Sequence, residues 1–184
     1  MPHLILLNGL PASGKSTFGR LLSERSKIPL VSKDYFKEML GDELGVADVD
    51  SSRRYGKIAY RICLEMVESV LMSGGSCILE SIFRQEDERI FLELVARYGA
   101  TPLQIQLVCD GETLFRRFAH RFETGQRHRV QLEHFIGTES FRETLLSGTN
   151  YELSFTPVFL KIDSTDIQQV DWPQYIEQII SILK

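Results

Sequence analysis

Short apolar runs alternate along the chain with stretches in which apolar side chains recur every three to four residues. Short apolar runs that alternate with helical patterns are typical of parallel strands covered on both faces. The longer stretches predict helices that bury one face. Predicted strands occupy residues 4–7, 28–31, 76–81, 102–108 and 157–162. The pattern predicts an α/β fold, with a five-stranded parallel sheet and helices on both faces.

Residues 52–73 predict the clearest amphipathic helix, because their apolar side chains follow the i, i+3, i+4, i+7 pattern. A shorter helix is predicted over residues 35–40, where Gly41 supplies an end signal. Residues 42–50 contain several acidic and turn-forming residues, and they predict a loop. The remaining helices are expected at 16–26, 86–98, 110–122, 131–147 and after an N-cap at Asp171.

The composition indicates an ordinary globular protein. The chain has 184 residues, of which 43% are hydrophobic and 25% charged, and it carries no repeat or linker-like tract. We therefore expect one domain over residues 1–184. The net charge of −4 disfavours a broad nucleic-acid-binding surface, although it leaves a local basic groove possible.

Three cysteines, Cys63, Cys77 and Cys109, are scattered through apolar runs. An odd, scattered set favours reduced core thiols over a disulfide framework. Because the first apolar run is short and none approaches membrane-spanning length, we expect no membrane association and a cytoplasmic location.

Residues 9–16 read G-x-x-x-x-G-K-S between a predicted strand and a predicted helix, which is the setting that this phosphate-binding motif requires. Its glycines let backbone N–H groups converge on phosphate oxygens at a helix N-terminus. Lys15 can reach the β- and γ-phosphates, and the Ser16 hydroxyl can bind Mg²⁺. We expect ATP to contact Gly9, Pro11, Ala12, Ser13, Gly14, Lys15, Ser16 and Thr17.

Acidic side chains follow or end two of the predicted strands. Asp34 is a candidate general base or a water-mediated Mg²⁺ ligand, and the alternative is an N-cap for the following helix. Glu80 is a candidate for orienting Mg²⁺, and the alternative is a solvated strand end. Arg84 is a candidate substrate-phosphate contact or a surface residue.

A basic stretch begins on the predicted helix 110–122. Arg117 and Arg121 lie one turn apart beside its apolar stripe, so we expect them to converge on one anion and act in catalysis. Residues 125–129 then predict a mobile segment of a helical lid spanning about 114–147, with Arg127 and His128 as substrate contacts. The alternative is a solvated helix with a basic end.

Four places together resemble the P-loop kinases related to polynucleotide kinases, zeta-type toxins and chloramphenicol phosphotransferase. They are Leu6–Thr17, Val31–Asp34, Ile78–Ser81 with Arg84, and the Arg117/Arg121 helix leading to Arg127 and His128. The resemblance implies that ATP phosphorylates a hydroxyl, with Asp34 as base and lid arginines on the transferring phosphate. In polynucleotide kinases a basic residue after the aspartate holds the substrate's phosphate, and Lys37 occupies that neighbourhood here.

Three functions remain open at this point. The favoured one is an ATP- and Mg²⁺-dependent kinase that phosphorylates a hydroxyl of a small molecule. A polynucleotide 5′-hydroxyl kinase is the alternative within the same chemistry. An ATPase that transfers no phosphate, or a nucleotide-sensing regulator, is the alternative from another class. The sequence leaves the acceptor and the oligomeric state undetermined.

Overall fold

The structure, a computed structural model, describes residues 1–131, 138–146, 151–156 and 158–183. Five parallel strands form one sheet in the spatial order β2-β3-β1-β4-β5. This confirms the predicted sheet. The strands are β1 (His3–Gly9), β2 (Leu30–Ser32), β3 (Cys77–Glu80), β4 (Thr101–Val108) and β5 (Val158–Asp163).

Helices connect successive strands, as the alternating pattern predicts. They are α1 (Lys15–Ser26), α2 (Lys33–Leu44), α3 (Val49–Met72), α4 (Glu88–Tyr98), α5 (Gly111–Glu123), α6 (Thr138–Leu146) and α7 (Trp172–Ile182). Short 3₁₀ turns occur at Gln85–Asp87 and Arg129–Gln131. The predicted N-cap at Asp171 is confirmed, since its Oδ1 accepts a hydrogen bond from the backbone N–H of Gln174 at 3.0 Å.

The central strand β1 divides its apolar side chains between the two faces of the sheet. Leu4 and Leu6 pack in one layer with side chains of α3 and α4. Ile5 and Leu7 pack in the other with side chains of α1 and α7. All four are fully buried, which explains why β1 reads as a continuous apolar run.

Two predictions around α2 are wrong. Gly41 does not end the helix, which continues to Leu44 and is followed by Gly45 with φ of 70°. The predicted loop over residues 42–50 is correspondingly shorter, because α3 begins at Val49. Gly41 is instead a buried position within α2.

The predicted helix over 131–147 corresponds to α6 and the preceding 3₁₀ turn, while residues 132–137 and 147 lie outside the described residues. Leu145 of α6 is fully buried and packs with Leu114 and Phe118 of α5. The two helices therefore pack against each other as a helical unit, and the lid over about residues 114–147 stays a prediction.

The sheet register brings the ends of three strands, β1, β2 and β3, together. Glu80 at the end of β3 lies opposite Leu7 of β1 and Ser32 of β2. The phosphate-binding motif follows β1 and Asp34 follows β2, so all three meet at the carboxyl edge of the sheet, where ligands of such sheets bind.

Cys63, Cys77 and Cys109 are free and buried, in agreement with the sequence. Burial raises the pKa of the Cys63 thiol to about 12, so it stays protonated at neutral pH. None of the helices in the described ranges combines the length and apolar character needed to cross a bilayer.

Candidate active site

The phosphate-binding motif forms a tight loop between β1 and α1. The backbone N–H of Ser13 donates to the carbonyl oxygen of Leu10 at 3.2 Å. Ala12 and Gly14 take positive φ angles of 67° and 95°. A left-handed backbone beside a helix N-terminus forms a concave nest of N–H groups that suits an anion. At Ala12 this conformation is strained, which is common where a loop is shaped for a ligand.

Gly9 and Ser13 support the loop from below rather than lining its open side. Ser13 is 1% exposed, and a Cβ on Gly9 would lie 2.6 Å from its Oγ. Ser13 Oγ has no hydrogen-bond partner among the described residues. These two positions therefore require small side chains.

Lys15, the first residue of α1, folds back over the loop. Its Nζ donates to the carbonyl oxygen of Leu10 at 3.0 Å, and the residue is 9% exposed. Burial lowers the pKa of this ammonium, while the nearby carboxylates Glu80 and Asp34 act in the opposite direction. A buried cation at a phosphate nest is arranged to receive an anionic ligand.

Glu80 and Ser16 meet above the end of β3. Ser16 Oγ donates to Glu80 Oε1 at 2.7 Å. Glu80 is 3% exposed, and its Oε2 has no hydrogen-bond partner within the described part of the chain. The interpretation of Glu80 as a solvated strand end is therefore wrong. A hydroxyl and a buried carboxylate with an unpartnered oxygen are ligands that suit Mg²⁺.

Asp34 lies in the first turn of α2, but it does not cap that helix. The N-cap position is Ser32, and α2 begins at Lys33. The capping interpretation of Asp34 is therefore wrong. Its side chain instead lines the cavity described next.

A cavity of about 200 Å³ joins these groups. The motif contributes Pro11, Ala12, Gly14, Lys15, Ser16 and Thr17. The opposite wall comprises Lys33, Asp34, Lys37, Glu80, Ser81, Ile82, Arg121, Arg127 and Gln131. A second cavity of about 510 Å³ adjoins it and shares Ser16, Asp34, Glu80, Arg121, Arg127 and Gln131.

The two arginines that line the cavity are Arg121 and Arg127, whereas the helical spacing predicts Arg117 and Arg121. Arg117 donates to the carbonyl oxygen of Thr165 at 3.0 Å and contacts Cys109 Sγ at 3.5 Å, and it does not line either cavity. The predicted convergence of Arg117 and Arg121 on one anion is therefore wrong. Arg121 shares the cavity with Arg127, whose guanidinium lies 4.4 Å from the Phe118 ring centre.

Arg121 is held beside other cations. Burial lowers its pKa, and the neighbouring Arg127 and Arg117 lower it further. Arg121 and Arg127 line the same partly buried cavity, and like charges kept close together repel one another unless an anion joins them. The arrangement is therefore electrostatically complementary to phosphate.

Of the predicted substrate residues, Lys37 and Arg127 line the first cavity, whereas Arg84 and His128 do not. The Arg84 side chain is 76% exposed, and its Nη1 lies 3.7 Å from Glu86 Oε1. His128 borders the second cavity and its Nε2 lies 2.9 Å from Asp42 Oδ1.

Sequence reasoning missed Lys33, Ser81 and Gln131, which also line the cavity. Lys33 and Ser81 carry a usable signal, because each stands next to a carboxylate at a strand end. Gln131 carries no such signal. It reaches the site because its side chain accepts a hydrogen bond from Lys37 Nζ at 3.0 Å.

The chain is similar to known kinases. The shikimate kinase of Bradyrhizobium diazoefficiens is 30% identical over 120 residues, which are 64% of this chain and 54% of that protein. The shikimate kinase of Paracidovorax citrulli is 32% identical over 84 residues, or 42% and 44% of the two chains. The matched part thus spans about half the length of these curated relatives.

A crystal structure at 1.70 Å of a Chloroflexus aurantiacus protein, provisionally designated a kinase, covers nearly the whole chain. It is 32% identical with a TM-score of 0.88, and the alignment covers 99% of this chain and 96% of that one. The narrower resemblance to polynucleotide kinases, zeta-type toxins and chloramphenicol phosphotransferase stays a prediction. The AAA domain family matches residues 4–143, and the chain therefore belongs to this family.

Proposed function

We propose that this protein transfers the γ-phosphoryl group of ATP to a hydroxyl of a small molecule. The observation that carries the proposal is one cavity that joins a phosphate nest to a carboxylate, Asp34, and to the cations Arg121 and Arg127. Kinship with kinases, two of them named for the small molecule shikimate, supports the same reaction class.

In the proposed reaction the acceptor hydroxyl oxygen attacks the γ-phosphorus of ATP. The bond between that phosphorus and the β–γ bridging oxygen breaks, and ADP leaves with the bridging electron pair. Asp34 accepts the hydroxyl proton as the new phosphate ester forms. Lys15, Arg121 and Arg127 stabilise the negative charge that develops on the transferring phosphate oxygens.

The site also fits a magnesium ion. The Ser16 hydroxyl and the buried Glu80 carboxylate, with its unpartnered Oε2, would hold the ion directly or through water. Mg²⁺ would neutralise charge on the β- and γ-phosphates. Within the described residues no cluster of three or more His, Cys, Asp or Glu forms a metal site. Water and the nucleotide would therefore supply the remaining ligands of the ion.

The decisive experiment measures transfer of labelled γ-phosphate to a panel of sugars, hydroxy acids, nucleosides and 5′-hydroxyl oligonucleotides. Once an acceptor is found, Asp34→Asn should lower the turnover number by about 10²–10⁴, because the amide cannot accept the proton. Asp50→Asn is the matched control, since Asp50 occupies the same position in the first turn of α3 but lies outside both cavities.

Near-normal turnover of Asp34→Asn would show that Asp34 is not the general base. Hydrolysis of ATP that no acceptor accelerates and that labels no compound would favour the non-transferring ATPase.

A polynucleotide 5′-hydroxyl kinase is the second candidate. It is favoured by Lys37, one turn after Asp34, which lines the same cavity as the cationic Arg127. Labelling of the oligonucleotides, with none of the small molecules, would establish this function in place of the first.

A further inference from the structure

Val130, three residues after Arg127, packs against α2. Val130 is fully buried, and it packs against Gly41 in the last part of α2. A Cβ on Gly41 would lie 2.7 Å from Val130 Cβ and 2.8 Å from Val130 Cγ2. Glycine is unfavourable within a helix. This close approach therefore gives a physical reason for the glycine that fails to end α2.

Polar contacts hold the same short segment from several sides. Ser52 Oγ of α3 donates to the Val130 carbonyl oxygen at 2.6 Å, in a buried setting. The Val130 N–H donates to His128 Nδ1 at 3.1 Å, which places the ring hydrogen on Nε2, facing Asp42. The segment is thus attached to both α2 and α3.

We propose that Gly41, Val130 and Ser52 form a latch that fixes the position of Arg127 over the transferring phosphate. This inference rests on the proposed kinase function. All three are positioning residues, since none lines either cavity. Asp34 is itself a residue of α2. The latch therefore connects the helix that carries Asp34 to the segment that carries Arg127.

The size of the expected effect follows from the packing distance. Carbon atoms in van der Waals contact are about 3.5–4.0 Å apart. A methyl group on Gly41 must therefore push Val130 back by about 1 Å. A displacement of about that size in a catalytic group can reduce turnover by about 10²-fold.

The test compares Gly41→Ala with Gly56→Ala, its matched control. Gly56 is also a glycine within a helix, but a Cβ there would meet its nearest neighbours at 3.9 Å, an ordinary contact distance. We expect Gly41→Ala to lower the turnover number by about 10²-fold while the dissociation constant of ATP stays within about threefold. Gly56→Ala should leave both unchanged.

Limited trypsin digestion gives a second measurement that does not depend on kinase activity. Arg129 is exposed, whereas the residue that follows it is the buried Val130. The latch therefore shields the 129–130 bond. We expect cleavage at this bond, identified by mass spectrometry, to be about tenfold faster in Gly41→Ala than in Gly56→Ala, because local opening precedes cleavage.

Ser52→Ala keeps the proposal testable if Gly41→Ala does not fold. Without the hydrogen bond to Val130 we expect faster cleavage at the same bond and a smaller fall in turnover, with an unchanged ATP dissociation constant. Cleavage and turnover that match the Gly56→Ala control in every latch variant that folds would overturn the latch. If no acceptor is ever phosphorylated, the proposed function fails, and the cleavage rates still decide whether the latch exists.

Discussion

The two walls of the cavity are built in different ways. The nucleotide wall comes from one continuous stretch, residues 11–17, which runs from the turn after β1 into the start of α1. The opposite wall comes from α2, the end of β3, α5 and the segment after α5, which are far apart in sequence. Local backbone geometry shapes the first wall, whereas contacts between distant elements position the second.

This difference has consequences for function. The loop around Lys15 is held by backbone hydrogen bonds within the motif itself, such as that from Ser13 to Leu10. Arg127 instead lies over the Phe118 ring of α5, and the buried Val130 comes three residues after it in the chain. We therefore expect changes on the nucleotide wall to affect binding and turnover together. Changes on the opposite wall should affect turnover more than ATP binding.

The largest expected effect is that of Lys15→Ala on the nucleotide wall. Loss of the ammonium should weaken ATP binding and reduce turnover below detection, because no other described motif residue carries a positive charge. Thermal unfolding should show no loss of stability, since burial already disfavours the charged form of Lys15. Lys57→Ala, an exposed lysine of α3, makes the same charge change outside both cavities. Retained ATP affinity and turnover in Lys15→Ala would contradict the site assignment.

A smaller but more selective effect is expected of Arg121→Gln. An arginine that stabilises the transferring phosphate can contribute about 10³–10⁵ in rate. We expect the single-turnover transfer rate to fall by about that factor, with the ATP dissociation constant changed much less. Arg116→Gln is the control, because Arg116 lies on the same helix, contacts Thr113 and lines neither cavity. Equal losses in binding and transfer would remove the distinction between the two walls.

The smallest effect is expected of Arg117→Gln. This change removes a hydrogen bond from a charged group to the Thr165 carbonyl. Such a bond contributes about 1.5 kcal/mol at the low end of its range, or roughly tenfold in an equilibrium constant. The loop after β5 lies against the motif, since Ile167 Cδ1 would be 3.2 Å from a Cβ on Gly14. We therefore expect up to about a tenfold rise in the ATP dissociation constant and an unchanged transfer rate. A fall in the transfer rate as large as that of Arg121→Gln would show instead that Arg117 acts on the transferring phosphate.

The sequence by itself determined the sheet, the motif and the edge where they meet. Strands apolar on both faces, such as Leu4–Leu7, can be stable only between two helical layers, and the glycines and lysine of residues 9–16 fix a phosphate nest through local geometry. Asp34 and Glu80 could also be placed, because each follows or ends a strand and parallel strands end at the same edge.

Only the tertiary structure decided what lies opposite the motif. Helical spacing pairs Arg117 with Arg121, but the carbonyl of Thr165, 48 residues away, engages Arg117. Gly41 carries a helix-ending signal, yet the approach of Val130 gives it another role. Gln131 enters the site through Lys37. In each case the deciding partner is distant in sequence, and local periodicity and turn preference hold no information about such a contact.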